Sequence, residues 1–153
     1  VNAGERGEIV VDGPTVTPGY LDDNVTEEAF GDFGLHTGDI GYRDEDGRLW
    51  VLGRADDTII TGGENVHPAE VESVLRDHPD VADAAVVGLA DEEWGERIGT
   101  LVVGANVDPE ELEAFARERL ADYKLPKRFA VTTELPRTAS GTVDRDAVRT
   151  RLG

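Results

Sequence analysis

The chain contains neither cysteine nor methionine. Without thiols it has no disulfides, no thiolate metal site and no cysteine nucleophile. Lysine is almost missing too: of 15 basic side chains only Lys124 and Lys127 are lysines, against 33 acidic residues and a formal net charge of −18. Duplex nucleic acid is a poor partner for such a chain, because neutralising phosphates takes clustered Lys and Arg. No apolar run approaches the roughly 18 residues of a membrane span. The opening VNAGERGEIVVDG lacks the basic-then-apolar order of a secretory signal. A cytoplasmic protein is the expectation. The lack of methionine leaves a processed product or a portion of a longer protein, and the portion is favoured because GERGEIVVDG reads as a strand entered in mid-stride.

What is abundant is acid, spread along all 153 residues rather than gathered in a tail. Self-repulsion on this scale disfavours a compact state in dilute buffer, whereas at 1 M salt the Debye length falls to about 3 Å and the penalty is screened. A salt-loving host explains the composition better than a basic partner does.

Residues 7–11 and 48–53 have the apolar density of short strands, with DEDG at 44–47 as a turn, so the first 54 residues read as β-rich. Beyond Arg54 the pattern changes. TII is a short strand and TGGEN a loop, and Pro68 opens a helix with Val71, Val74 and Leu75 on one face. ADAAVVGL and RIGTLVVG are strands joined by the acidic ADEEWGE loop. Asp108 and Pro109 start a second helix carrying Leu112, Phe115, Ala116 and Leu120 on one stripe. KRFAVTTEL is a further strand, and LPRTASGTVDRD leads into a final short helix. The fold class is α+β: a β-rich segment over 1–54, then a compact α+β domain over 55–153 with a small sheet flanked by helices.

Candidate chemistry is dispersed. Asp39 in HTGD could accept hydrogen bonds from a vicinal diol such as a ribose, or simply cap its own turn. Arg54 in GRADD could bind phosphate or ribose through its planar fork, or pair with Asp56 or Asp57. Gly62 and Gly63 permit close approach of a thin ligand to the backbone; a nucleotide P-loop is rejected there for want of its lysine. His36, His67 and His78 lie on separate elements, so no metal site is expected. Trp94 is an anchor or a stacking platform. Tyr123, Lys124 and Lys127 form the one lysine-bearing stretch, suited to an anion or to charge complementarity at a helix end. Thr142 reads as a cap for the last helix.

Taken in order, GEIVVDGPTVTPGYL, LHTGDIGYRDEDGRLWVLGRADDTIITGGENVHPAEVE, YKLPKRF and LPRTASGTVDRD resemble the C-terminal third of adenylate-forming acyl-CoA synthetases, the AMP-binding enzymes. The short TLVVGANVDPEEL connection is similar to the o-succinylbenzoate-CoA ligase branch of menaquinone synthesis. The resemblance implies an acid, ATP with Mg2+, and CoA as reactants: an acyl-adenylate forms, and the CoA thiol then displaces AMP. It further implies that 1–54 ends a large adenylation domain and 55–153 is a mobile domain. By position it implies Asp39 and Arg54 as ATP/AMP ligands, Asp56 as hinge, and Gly62, Gly63, Trp94, Tyr123 and Lys127 as CoA contacts. Two departures stand out. The phosphate loop and acyl pocket of the family are not in this chain, so alone it is expected to be inactive. The terminal loop also has Thr142 where the family usually has lysine, with Arg137 and Arg145 the nearest cations. The rival reading is a non-catalytic module for CoA or a nucleotide, or a separately encoded partner of an adenylating domain.

Overall fold

The computed structural model describes residues 2–153, and its internal contacts divide the chain into two units, Val1–Asp56 and Asp57–Gly153.

In the first unit one long strand organises the rest. β3 (Gly34–Arg43) pairs antiparallel with β1 (Gly7–Val11), β2 (Phe30–Gly31) and β4 (Leu49–Arg54). A short helix α1 (Asp23–Ala29) precedes β2, with Asp22 accepting the Asn24 amide as its cap. The β3–β4 turn is held by Asp44, whose carboxylate accepts from the Arg48 amide at 2.8 Å and the Trp50 indole at 2.9 Å. Those two bonds, the indole's first, hold its carboxyl below the ordinary 3.8. Neither α1 nor the full length of β3 was legible in the sequence. Thr37, Gly38 and Asp39 interrupt the apolar alternation, and β3 persists through them because neighbours pair with it on both edges.

The second unit is built on the hairpin of β7 (Asp83–Asp91) and β8 (Gly95–Val103), paired along its whole length. β9 (Arg128–Thr132) runs parallel to β8, and the hairpin β5 (Ile59–Thr61) and β6 (Glu64–Val66) joins where β8 begins. TGGEN is therefore a hairpin turn running into a strand, and the acidic ADEEWGE loop contracts to the turn between β7 and β8. The order from β7 onward matches the pattern read from the sequence, with α3 (Pro109–Arg117), a 3-10 turn at Asp122–Lys124 and α4 (Arg145–Leu152) following.

The sheet is covered on both faces, and strand alternation decides which side chain serves which face. Ala84, Val86, Ile98 and Val102 join Val71 and Leu75 of α2 (Pro68–Arg76) and Leu112 and Ala116 of α3 in one core. Ala85, Val87 and Leu101 meet Val148 and Leu152 of α4 in the other. Each fully buried Leu or Val contributes about 1.5–3 kcal/mol. Thr100 is the exception: it is 0% exposed, and its hydroxyl has no hydrogen-bond partner among the described residues. The α3 cap is as expected, with Asp108 accepting the Glu110 amide at 2.9 Å behind Pro109. The α4 cap is not Thr142 but Asp144, which accepts the Ala147 amide at 3.0 Å. The helix starts two residues later than a Thr142 cap requires.

Candidate functional site

Asp39 and Arg54 are direct cross-strand partners on β3 and β4. HTGD is accordingly no tight turn but an irregular stretch of strand. Gly38 there takes φ +72°, and a Cβ on it would lie 2.7–2.9 Å from the Arg54 guanidinium, which lies flat across the glycine. Arg54 donates to the Thr37 carbonyl at 2.6 Å, with Asp39 at 3.6 Å and Asp56 at 3.5 Å. Asp57, the other partner considered, belongs elsewhere. From β1, Glu8 holds the stretch in place: His36 Nδ1 donates to it at 2.8 Å and the Gly38 amide at 3.0 Å. The His36 bond, then the amide, hold the Glu8 carboxyl below its ordinary 4.5. The result is a carboxylate and a guanidinium side by side and half exposed, able to receive a diol and an anion together. Glu8 was missed from sequence, since nothing local links it to a residue 28 positions away.

In the second unit Trp94, Tyr123 and Lys127 converge on a hollow of about 490 Å³, lined also by Thr61, Asp91, Glu93, Arg97 and Asp122. Trp94 is 53% exposed and Tyr123 40%, the latter with the Lys124 ammonium 5.6 Å from its ring centroid, so both rings reach solvent at the hollow. Gly62 explains how Trp94 is placed: at φ +58° it donates to the Trp94 carbonyl at 2.9 Å, and a Cβ on it would meet the indole at 2.7 Å. Gly63 faces open space and, like Gly62, does not line the hollow. Asp91 fixes the turn from below, accepting the Trp94 and Glu93 amides at 3.0 Å each. Those amides, Trp94's first, hold its carboxyl below the ordinary 3.8. Lys124 is not an anion handle; it is tied to Glu70. Asp91 and Arg97, a pair at 3.7 Å, were hidden in a run of charge that reads as solvated surface.

The terminal loop returns on itself through a bridge between Arg137 and Val143. Arg145 is consumed in a part-buried network: it donates to Asp57 at 3.0 Å, to Glu72 at 2.9 Å and to the Val86 carbonyl at 2.7 Å. It cannot double as a mobile cation for position 142. Each histidine has its own neighbour: His36 meets Glu8, His67 lies beside Thr58 and His78 is edge-on to Phe115. Among the described residues no group of three or more His, Asp or Glu side chains could hold a metal ion.

Residues 70–142 match the AMP-binding enzyme C-terminal domain. The chain belongs to the AMP-binding enzyme family. It is 52% identical to a 2-succinylbenzoate–CoA ligase of Bacillus licheniformis over 144 residues, which is 93% of this chain and 30% of that ligase. The o-succinylbenzoate CoA synthetase of Bacillus subtilis in complex with the acyl-adenylate intermediate OSB-AMP superposes with a TM-score of 0.92, at 44% identity over 97% of this chain and 31% of that one. ATP-bound MatB from Rhodopseudomonas palustris gives 0.90 at 36% identity over 99% and 31%. The chain thus spans just under a third of the length of the AMP-binding enzymes it matches. No helix among the described residues is long and apolar enough to cross a membrane.

Proposed function

We propose that this chain is the C-terminal part of an ATP-dependent acid–CoA ligase, with 2-succinylbenzoate as the candidate acid. Identity of 52% to a 2-succinylbenzoate–CoA ligase, sustained over 93% of the chain, carries the reading. In the first half-reaction a carboxylate oxygen attacks the α-phosphorus of ATP, and pyrophosphate leaves. In the second, the CoA sulfur attacks the acyl carbon and AMP leaves.

Each site has a part in that scheme. Asp39 accepts the ribose hydroxyls, and Arg54 beside it donates to ribose or phosphate; their 3.6 Å separation supports a shared ligand. Trp94 and Tyr123 stack on the CoA nucleotide while Lys127 meets its phosphates, and Gly62 and Gly63 flank the pantetheine arm. Asp56 is the hinge, the position whose backbone absorbs a rotation of the second unit; its exposed carboxylate lies 3.5 Å from Arg54. The first unit then ends the large domain, and the second is the mobile domain. Mg2+ accompanies ATP, and no residue of this chain is assigned to it. The acidic composition suits a salt-loving cytoplasm.

The test replaces the matching segment of the Bacillus licheniformis ligase with this chain and measures acid-dependent pyrophosphate release in molar salt. Release well above that of the large domain alone is expected with 2-succinylbenzoate. No release with any acid refutes the ligase reading and leaves the non-catalytic module.

A further inference from the structure

The sheet of the second unit ends at β7, which pairs with β8 on one side and, among the described residues, with no strand on the other. In an antiparallel pair, alternate residues turn both backbone groups away from the partner strand. On β7 these are Ala84, Val86, Gly88 and Ala90, because Val86 uses both of its groups outside the ladder. Its amide donates to Glu72 Oε1 at 3.0 Å, and its carbonyl accepts from Arg145 Nη1 at 2.7 Å. Between Asp83 and Asp91 the strand reads AAVVGLA, without charge or proline. A free edge of that composition is a template for another strand.

The edge is nevertheless closed. α2 packs on one face of the sheet and α4 on the other, and Glu72 and Arg145 meet around the strand at 2.9 Å. Val86 beneath them is 0% exposed. Asp57 holds Arg145 from a further side at 3.0 Å. Toward the start of the strand, Asp83 accepts the outward amide of Ala84 at 2.9 Å and is itself tied to Arg76 and Arg137. These contacts are short and partly buried, so salt screens them far less than it screens the long-range repulsion of a chain with charge −18.

We propose that the Glu72–Arg145 bridge guards the β7 edge, and that the partner it excludes is the β7 edge of a second copy of this chain. An identical copy offers the same uncharged run, and antiparallel pairing sets Asp83 of one copy toward Asp91 of the other. At low salt that like-charge approach and the net charge keep copies apart. In molar salt, where the Debye length is about 3 Å, the bridge is what remains to do so. Ala90, beyond the bridge, is exposed and is where an incoming strand can begin to pair.

The test is sedimentation velocity on the full chain in molar KCl, comparing wild type with Glu72→Ala/Arg145→Ala. Both charges of the bridge are removed together in that variant, so neither is left facing a missing partner. Uncapping Val86 offers an incoming strand two backbone hydrogen bonds, and self-association should tighten about tenfold or more. Hydrogen exchange should show the amides of Val86, Gly88 and Ala90 gaining protection as the variant associates. Ala90→Pro, added to the double variant, removes one outward donor without touching the ladder to β8 and should reverse the association. A double variant that keeps its far-UV circular dichroism and associates no more than wild type overturns the proposal, and so does association that Ala90→Pro leaves intact. Should the double variant not fold, Glu72→Gln/Arg145→Ala, which keeps an acceptor on the Val86 amide and frees only its carbonyl, is judged by the same two outcomes. The ligase reading plays no part in this test, so either can fail without the other.

Discussion

Loss of the Glu72 side chain should destabilise the second unit markedly. It is buried on α2, accepts the fully buried Val86 amide at 3.0 Å, and receives Arg145 at 2.9 Å through the same oxygen. In Glu72→Ala the Val86 amide loses its acceptor, worth about 1–3 kcal/mol. Arg145 also loses one of two carboxylates, and breaking a buried ion pair from one side costs about 3–5 kcal/mol in all. Because Asp57 stays on Arg145 at 3.0 Å, the lower end applies, about 3 kcal/mol. Glu72→Gln keeps an oxygen for the Val86 amide and gives up the charge, for about 1–2 kcal/mol. Urea unfolding in a Trp50→Phe background reads this directly, since Trp94 is then the sole indole and lies in the second unit. Urea is preferred to guanidinium chloride, which would itself screen the charge of −18. With an m-value of about 1–3 kcal/mol/M, the alanine midpoint should drop by roughly 1–3 M. The reasoning fails if alanine and glutamine shift the midpoint equally, or if neither moves it measurably.

Thr100→Val removes a buried, unpartnered hydroxyl at nearly constant volume and should stabilise the second unit by about 1 kcal/mol, read in the same urea assay; a loss of stability would mean the hydroxyl is satisfied. Gly62→Ala combines a left-handed backbone with a 2.7 Å approach to Trp94, so the indole should be displaced, seen as a change in its emission maximum without global unfolding. An unchanged spectrum would refute that close approach. Glu8 has a folded-state pKa held below 4.5, so its stabilising bonds are complete above that value and are lost as pH falls through the lower folded-state value. Glu8→Gln should abolish that part of the acid dependence of the first unit, monitored at Trp50 in a Trp94→Phe background, and an identical acid profile in both proteins would refute it. Circular dichroism across a salt series should show stability rising toward molar KCl, and a melt independent of salt would remove the adaptation argument.

How much of this was legible in advance varied with the range of the interaction. The second unit read well because its signals are local. Asp108-Pro109 starts α3, the apolar stripes mark two helices, and the runs at 83–89 and 97–104 are dense enough to be strands in any setting. The first unit read poorly. β3 is held through Thr37-Gly38-Asp39 by pairing with β1 and β4, partners distant in sequence. The same distance hid Glu8 beside Asp39, whereas Asp91, three residues from Trp94, was hidden in a run of charge that reads as solvated surface. Thr142 was misread as a cap because a hydroxyl near a helix start is the common signal, and the competing carboxylate of Asp144 lies two residues on.

The sequence by itself determined the charge, the redox inertness, the α+β order after Arg54 and the residues Asp39, Arg54, Trp94, Tyr123 and Lys127 as those to watch. These follow from composition and from patterns a few residues long, which folding does not alter. Only the tertiary structure decided how the cations are used. Lys124 went to Glu70 and Arg145 to Asp57 and Glu72, while Arg137 stayed half-exposed against the Gly141 carbonyl. In a chain with 33 acidic residues and 15 basic ones, which carboxylate reaches each cation depends on the packing of helices against the sheet.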